Sequence, residues 1–214
     1  MTRHELGAEI VAVAQAIDRA GFCPSKSGNV SARTDAGFLI TPSGLPYAQT
    51  TPDDLIELSL DGAVLSGGRK PSSEWPFHAA IYQARSEAQA IVHTHSPRAT
   101  ALASTRRGIP AFHYMIALCG GADIRCADYA TFGTPELAEN AVRALEGRKA
   151  VLLANHGVIA LGASLAGAHQ IVAEVENLAG QYLDILAAGL EPVILDEAEM
   201  ARVSAKFAGY GKVG

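Results

Sequence analysis

Apolar residues recur at intervals of three and four at Leu6, Ile10, Val13 and Ile17. This is the stripe of an amphipathic helix, placed over about Glu5 to Ala20 with Gly21 as its stop. Other apolar runs are short and β-branched, and predict strands: Gly37 to Thr41, Asp54 to Leu60, Ala90 to His95, Ile124 to Ala127, Ala150 to Ala154 and Val158 to Leu161. Asp61-Gly62 predicts a hairpin-type turn into Ala63-Val64-Leu65. Helical patterns alternate with these strands. One covers Glu74 to Arg85, with Ser72 or Ser73 as N-cap and Pro76 in the first turn. Pro97 to Ser104 predicts a short helix, and Thr134-Pro135 caps and opens another. A long helix over Ser164 to Ala188 aligns Ile171, Val175, Leu178, Tyr182 and Ile185 on a core stripe, with Glu174 and Glu176 exposed. A last helix covers about Asp196 to Ala208. The run Ser25 to Arg33 is small and polar and reads as a turn around Gly28. No internal repeat or long linker divides the chain, so a single domain over 1–214 is expected.

Composition narrows the class. The 214 residues are 49% hydrophobic and 18% charged, with a mean hydropathy of +0.14, which suits a globular chain with a full core and a subunit interface. A net charge of −5 gives no field to attract nucleic acid or an anionic membrane, so an anionic ligand needs a local pocket. The pairs Arg69-Lys70 and Arg106-Arg107 read as solvated surface charge. Cys23, Cys119 and Cys126 lack C-x-x-C spacing and cannot all pair, which fits a reducing compartment. The charged N-terminal run is unlike a signal peptide, and no apolar run reaches the roughly 18 residues of a membrane span. A cytoplasmic location is the expectation.

The chemistry concentrates between Pro71 and Ser96. On a strand ending in Val92-His93-Thr94-His95, alternate side chains share a face, so His93 and His95 project together and can chelate one ion. A catalytic zinc-like site takes about three protein ligands and keeps a position open. His156 follows another apolar strand and precedes Gly157, which suits a ligand held where backbones approach closely. Glu74 stands at the start of the preceding helix. His78 lies four residues on and shares its face, so spacing nominates both.

These residues carry a family resemblance. The runs SGNVSAR (27–33), LITPSGLPY (39–47), KPSSEW (70–75), VHTHS (92–96), IPAFHYMIA (109–117), DYATFGT (128–134) and NHGVIA (155–160) resemble the class II aldolase/adducin family, most closely its L-fuculose-1-phosphate aldolase branch. The resemblance implies a three-layer α/β/α fold on a mixed, largely antiparallel central sheet. It also implies a homo-oligomer, a tetramer with active sites between subunits. It decides for Glu74 and leaves His78 as a core or supporting residue. One divalent metal per subunit, Zn²⁺ being the expected ion, is then held by His93, His95 and His156, with Glu74 as a ligand in the resting state and a base once displaced. Tyr114, in the HYM motif, is implied as the acid reaching a neighbouring subunit's site. Gly28, Asn29, Ser43, Gly44, Ser72 and Ser73 are implied around a substrate phosphate, with Phe132, Tyr210 and Phe207 near the substrate.

The implied reaction is cleavage of a 1-phosphoketose, L-fuculose 1-phosphate or a related deoxyketose phosphate, to dihydroxyacetone phosphate and a small aldehyde. Sugar-phosphate dehydratase, decarboxylase and epimerase chemistries share the fold. Glu74 argues against the epimerase branch, which resembles this chain but carries aspartate there. A non-catalytic adducin-like scaffold is disfavoured by the retained glutamate and histidines. Gly62 to Lys70 lacks the ending of a nucleotide P-loop, and neither Gly-x-Gly-x-x-Gly nor Gly-x-Ser-x-Gly occurs.

Overall fold

In a computed structural model that describes residues 1–209, eight strands form one sheet. They are β1 (Asn29–Arg33), β2 (Phe38–Ile40), β3 (Ile56–Leu58), β4 (Val64–Ser66), β5 (Ala90–Thr94), β6 (Arg125–Ala127), β7 (Ala150–Leu153) and β8 (Gly157–Gly162). The order across the sheet is β4-β3-β2-β1-β5-β8-β7-β6, and every pair is antiparallel except β6 with β7.

Alternation along the strands builds two cores. In β5, Ala90 and Val92 point to one face and Ile91 to the other; in β7, Ala150 and Leu152 oppose Val151 and Leu153. The first face is covered by helices α1 (Arg3–Arg19), α3 (Pro97–Ala103), α5 (Leu165–Ala187) and α6 (Glu197–Gly209). The second is covered by α2 (Trp75–Ala84) and α4 (Pro135–Ala144). The fold is the expected three-layer α/β/α arrangement on a mixed, mainly antiparallel sheet. No helix among the described residues is long and apolar enough to cross a membrane.

Several elements differ from the reading of the sequence. The polar run taken as a turn holds β1, a central strand whose first four residues are all buried. Its polar side chains Asn29 and Ser31 find partners inside the second core, so polarity does not expel them. The strand expected from Asp54 shrinks to Ile56–Leu58, because Thr51 and Asp54 close a capping box around a short 3₁₀ turn at Pro52–Asp54. The N-cap of α2 is Glu74, not a serine. Ser72 Oγ is turned toward Asn29, and receives the Glu74 N–H only at 3.4 Å. Along α5, Ile171, Val175 and Leu178 are buried as expected, Tyr182 is partly so, and Ile185 is not part of the core. Glu176 is half-buried and accepts the Arg98 and Ala99 N–H groups, which caps α3. Tyr210 lies outside the described residues.

Leu152 is fully buried in the first core, whereas Val64 on edge strand β4 is 57% exposed. In urea unfolding, Leu152→Ala is expected to cost about 2–5 kcal/mol, and Val64→Ala to stay within about 0.5 kcal/mol.

Candidate metal centre

The register of the central strands assembles the site. Asn29 pairs with His93 across β1 and β5, and His93 pairs with Ile159 across β5 and β8. His93 therefore projects with Ile91 and Ile159 toward α2, whose N-cap residue is Glu74. Gly28 takes φ +93° just before β1, and a side chain there would meet the His93 carbonyl at 2.7 Å, so only glycine admits this approach. His95 follows the end of β5, and its N–H is held by the Phe22 carbonyl. His156 stands in the tight β7–β8 turn, where Asn155 has φ +55° and the His156 N–H returns to the Leu153 carbonyl. Asn155 is braced by Arg106 Nε, and itself donates to the Ser104 carbonyl.

The four side chains converge. Ligand-capable atoms of Glu74, His93, His95 and His156 all lie within 4.8 Å of one another. Glu74 Oε2 is 3.1 Å from His93 Nε2, and Oε1 is 2.9 Å from His156 Nε2. His95 Nε2 and His93 Nε2 are 3.0 Å apart. His93 Nδ1 faces the Val158 carbonyl at 3.0 Å, so it carries the hydrogen and leaves the Nε2 lone pair turned into the cluster. Lone pairs and a carboxylate aimed at a common point repel one another unless a cation lies among them, and Glu74 Oε1 has no hydrogen-bond partner despite its burial. A divalent metal fits this donor set: three imidazole nitrogens and one carboxylate oxygen suit zinc-type coordination.

Electrostatics agree with that arrangement. Burial works to raise the Glu74 pKa, but positive charge at His93 and His156, which a cation bound among them would likewise supply, holds it well below the usual carboxylate range, so the group is ionised. Burial, with His93 and His156 beside it, pushes His95 down to about 3, which keeps its ring neutral and able to ligate. His78 lies outside the cluster, fully buried behind Asn29.

The cluster forms the floor of a cleft of about 320 Å³. Gly28, Asn29, Ser43, Gly44, Ser72, Ser73 and Phe132, all implied by the resemblance, line it together with Glu74, His95 and His156. Lys26, Ser27, Tyr129, Ala130 and Asn155 line it too, and reading of the sequence singled none of them out as site residues. Ser27, Tyr129, Ala130 and Asn155 stand inside the runs that carry the resemblance, a signal that could have found them, whereas Lys26 carried none. Tyr114 does not line this cleft. It sits 49% exposed at the start of a 3₁₀ segment, Tyr114–Cys119, stacked against His113 and Phe207.

An α/β sheet with a carboxylate and three imidazoles at one end defines a metal-binding enzyme site, and comparison with known proteins specifies the family. Residues 8–183 match the model of the Class II Aldolase and Adducin N-terminal domain. The chain is 48% identical over 202 residues to the 5-methylthioribulose-1-phosphate/5-deoxyribulose-1-phosphate aldolase of Rhodospirillum rubrum, covering 94% of this chain and 90% of that protein. It is 44% identical over 211 residues to the L-fuculose phosphate aldolase of Escherichia coli (strain K12), covering 99% and 98%. A solved L-fuculose 1-phosphate aldolase superposes with a TM-score of 0.93 at 40% identity, over 97% of this chain and 98% of that one. The chain belongs to the class II aldolase and adducin family, and is a class II aldolase.

A Cβ on Gly157 would lie 2.4 Å from the Thr94 carbonyl oxygen, 3.0 Å from His95 Cδ2 and 3.3 Å from His93 Cε1. Gly157→Ala is therefore expected to weaken metal binding by roughly 10–100-fold, and His93→Ala to abolish it. Metal stoichiometry after dialysis against a graded chelator checks both.

Proposed function

We propose that this protein cleaves a 1-phosphoketose, L-fuculose 1-phosphate or a related 5-deoxyketose phosphate, to dihydroxyacetone phosphate and a small aldehyde. The observation that carries the reading is the Glu74 carboxylate, set among three imidazoles at a cleft lined by Lys26 and by hydroxyl, amide and glycine backbone groups. Zn²⁺ is the expected ion. Held by His93, His95 and His156, it would supply Lewis acidity to a carbonyl as negative charge develops beside it.

The chain's own groups do the rest. Ser72 Oγ accepts from Asn29 Nδ2 and from the Glu74 N–H, which leaves its hydroxyl hydrogen to donate into the cleft. Ser43, Gly44 and Ser73 are exposed at the same wall, and with Gly28 and Ser72 they receive the phosphate through hydroxyl and backbone N–H donors. Asn29 is the floor of that pocket. Glu74, released from the cluster by the entering substrate, moves the proton at the reacting carbon. Phe132, Tyr129 and Ala130 form an apolar outer wall, Phe132 being 64% exposed, which suits an aldehyde ending in a methyl or thioether group.

Tyr114 acts as the proton donor to the aldehyde oxygen in the synthetic direction. Because it lies away from its own cleft, this role requires a second copy of the chain, and a homotetramer with sites between subunits supplies it. Phe207, stacked on Tyr114, would enter the same neighbouring site.

The test is release of dihydroxyacetone phosphate, followed by coupled reduction, from L-fuculose 1-phosphate, 5-deoxyribulose 1-phosphate and 5-methylthioribulose 1-phosphate. Turnover of order 1–10³ s⁻¹ on at least one is expected, lost on chelation. Glu74→Gln should retain its metal and lose at least about 10²-fold in kcat. A metal-loaded protein that releases no dihydroxyacetone phosphate from any of the three sugars would overturn the proposal.

A further inference from the structure

Glu74 does not stand alone on its protein side. Asn29 Nδ2 lies 3.0 Å from Glu74 Oε2 and 3.0 Å from Ser72 Oγ. An ionised carboxylate can only accept hydrogen bonds, so the amide must present its NH₂ to Glu74 and its oxygen to the interior. There, Oδ1 meets His78 Nε2. An amide oxygen also only accepts, so this His78 nitrogen carries the hydrogen. Nδ1 then holds the lone pair and accepts from Ser31 Oγ at 2.7 Å, and Ser31 Oγ in turn accepts from the Tyr82 hydroxyl at 2.8 Å.

One polarity satisfies every link from Tyr82 through Ser31, His78 and Asn29 to Glu74. The four supporting residues are at most 1% exposed, so no solvent competes for these bonds. The His78 ring is packed by Phe77, with centroids 4.7 Å apart and planes 21° apart, and by Phe38 beyond it. Burial, with His93 nearby, drives His78 down to about 3, so it is a neutral ring with one hydrogen to place.

We propose that His78 is a positioning residue: as the Nε2–H tautomer it locks the Asn29 amide, and through that amide holds the Glu74 carboxylate in its working orientation. With the hydrogen on Nδ1 instead, two lone pairs would oppose each other at Oδ1. The amide could relieve this only by turning its oxygen on the Glu74 carboxylate, which would swing the carboxylate away. The inference rests on the reading of Glu74 as the proton-transfer group.

Two measurements on the full-length, metal-loaded protein test it. In ¹⁵N-histidine spectra, the signal missing from His78→Gln is expected to show the Nε2–H tautomer; an Nδ1–H pattern would overturn the proposal without reference to any activity. The second is a kinetic cycle of His78→Leu, Asn29→Ala and the double variant. His78→Leu should keep its metal and lose roughly 10–100-fold in kcat with KM changed by less than about threefold. The double variant should be no slower than Asn29→Ala, because both changes break one linkage. His78→Gln, which keeps an N–H donor toward Oδ1, should recover most of the loss, and keeps the question open to kinetics if the leucine variant fails to fold. Additive losses in the double variant, or a glutamine variant as slow as the leucine one, would refute the positioning role. A wild-type protein inactive on every phosphoketose would instead strike the functional reading and leave the tautomer result standing.

Discussion

The pairing of β5 with β1 on one side and β8 on the other is the constraint on which the site depends. It places Asn29, His93 and Ile159 in one row and lets the Val158 carbonyl take the Nδ1 hydrogen of His93. Strand side chains alternate, so a slip of one residue would carry His93 to the opposite face, away from Glu74. The buried apolar residues on both faces of β5, β7 and β8 make such a slip costly, since each would exchange one well-packed core for the other. The hydrophobic pattern that builds the sheet also sets the histidine geometry.

Around that register, the site is assembled from backbone in restricted conformations. Gly28 comes close to the His93 carbonyl, Asn155 is held in the left-handed region, and Gly157 fits between the Thr94 carbonyl and two imidazoles. None of these residues does chemistry in the proposed mechanism. Their effect is to bring lone pairs and a carboxylate close together, an arrangement whose repulsion a cation bound among them would offset. Behind this face, polar side chains of β1 and α2 are satisfied one by one inside an otherwise apolar core.

Much of the architecture was legible in the sequence. The apolar runs of β5, β7 and β8 and the stripes of α1 and α5 gave their elements within a residue or two, because burial on both sides of a sheet, or on one side of a helix, leaves a strong periodic signal. β1 was the main loss. Its sequence, NVSAR, is polar because it faces a hydrogen-bonded interior, and local pattern cannot separate that from a polar turn. The serines before α2 failed as caps for a related reason: Ser72 is committed to Asn29, 43 positions away.

By itself the sequence determined which groups could chelate, since His93 and His95 share a strand face and His156 follows a buried strand. Spacing left Glu74 and His78 as equal claimants, because residues four apart on a helix lie on the same side. Tertiary structure separated them: Glu74 closes the cluster at the helix N-cap, whereas His78 is turned inward onto Ser31 and Asn29. Likewise only the fold brings Lys26, Tyr129 and Asn155 to one cleft and leaves Tyr114 outside it. The physical reason is common to these cases. Periodicity reports which face a side chain occupies, while the partner across that face is fixed by strand register and packing between residues far apart in the chain.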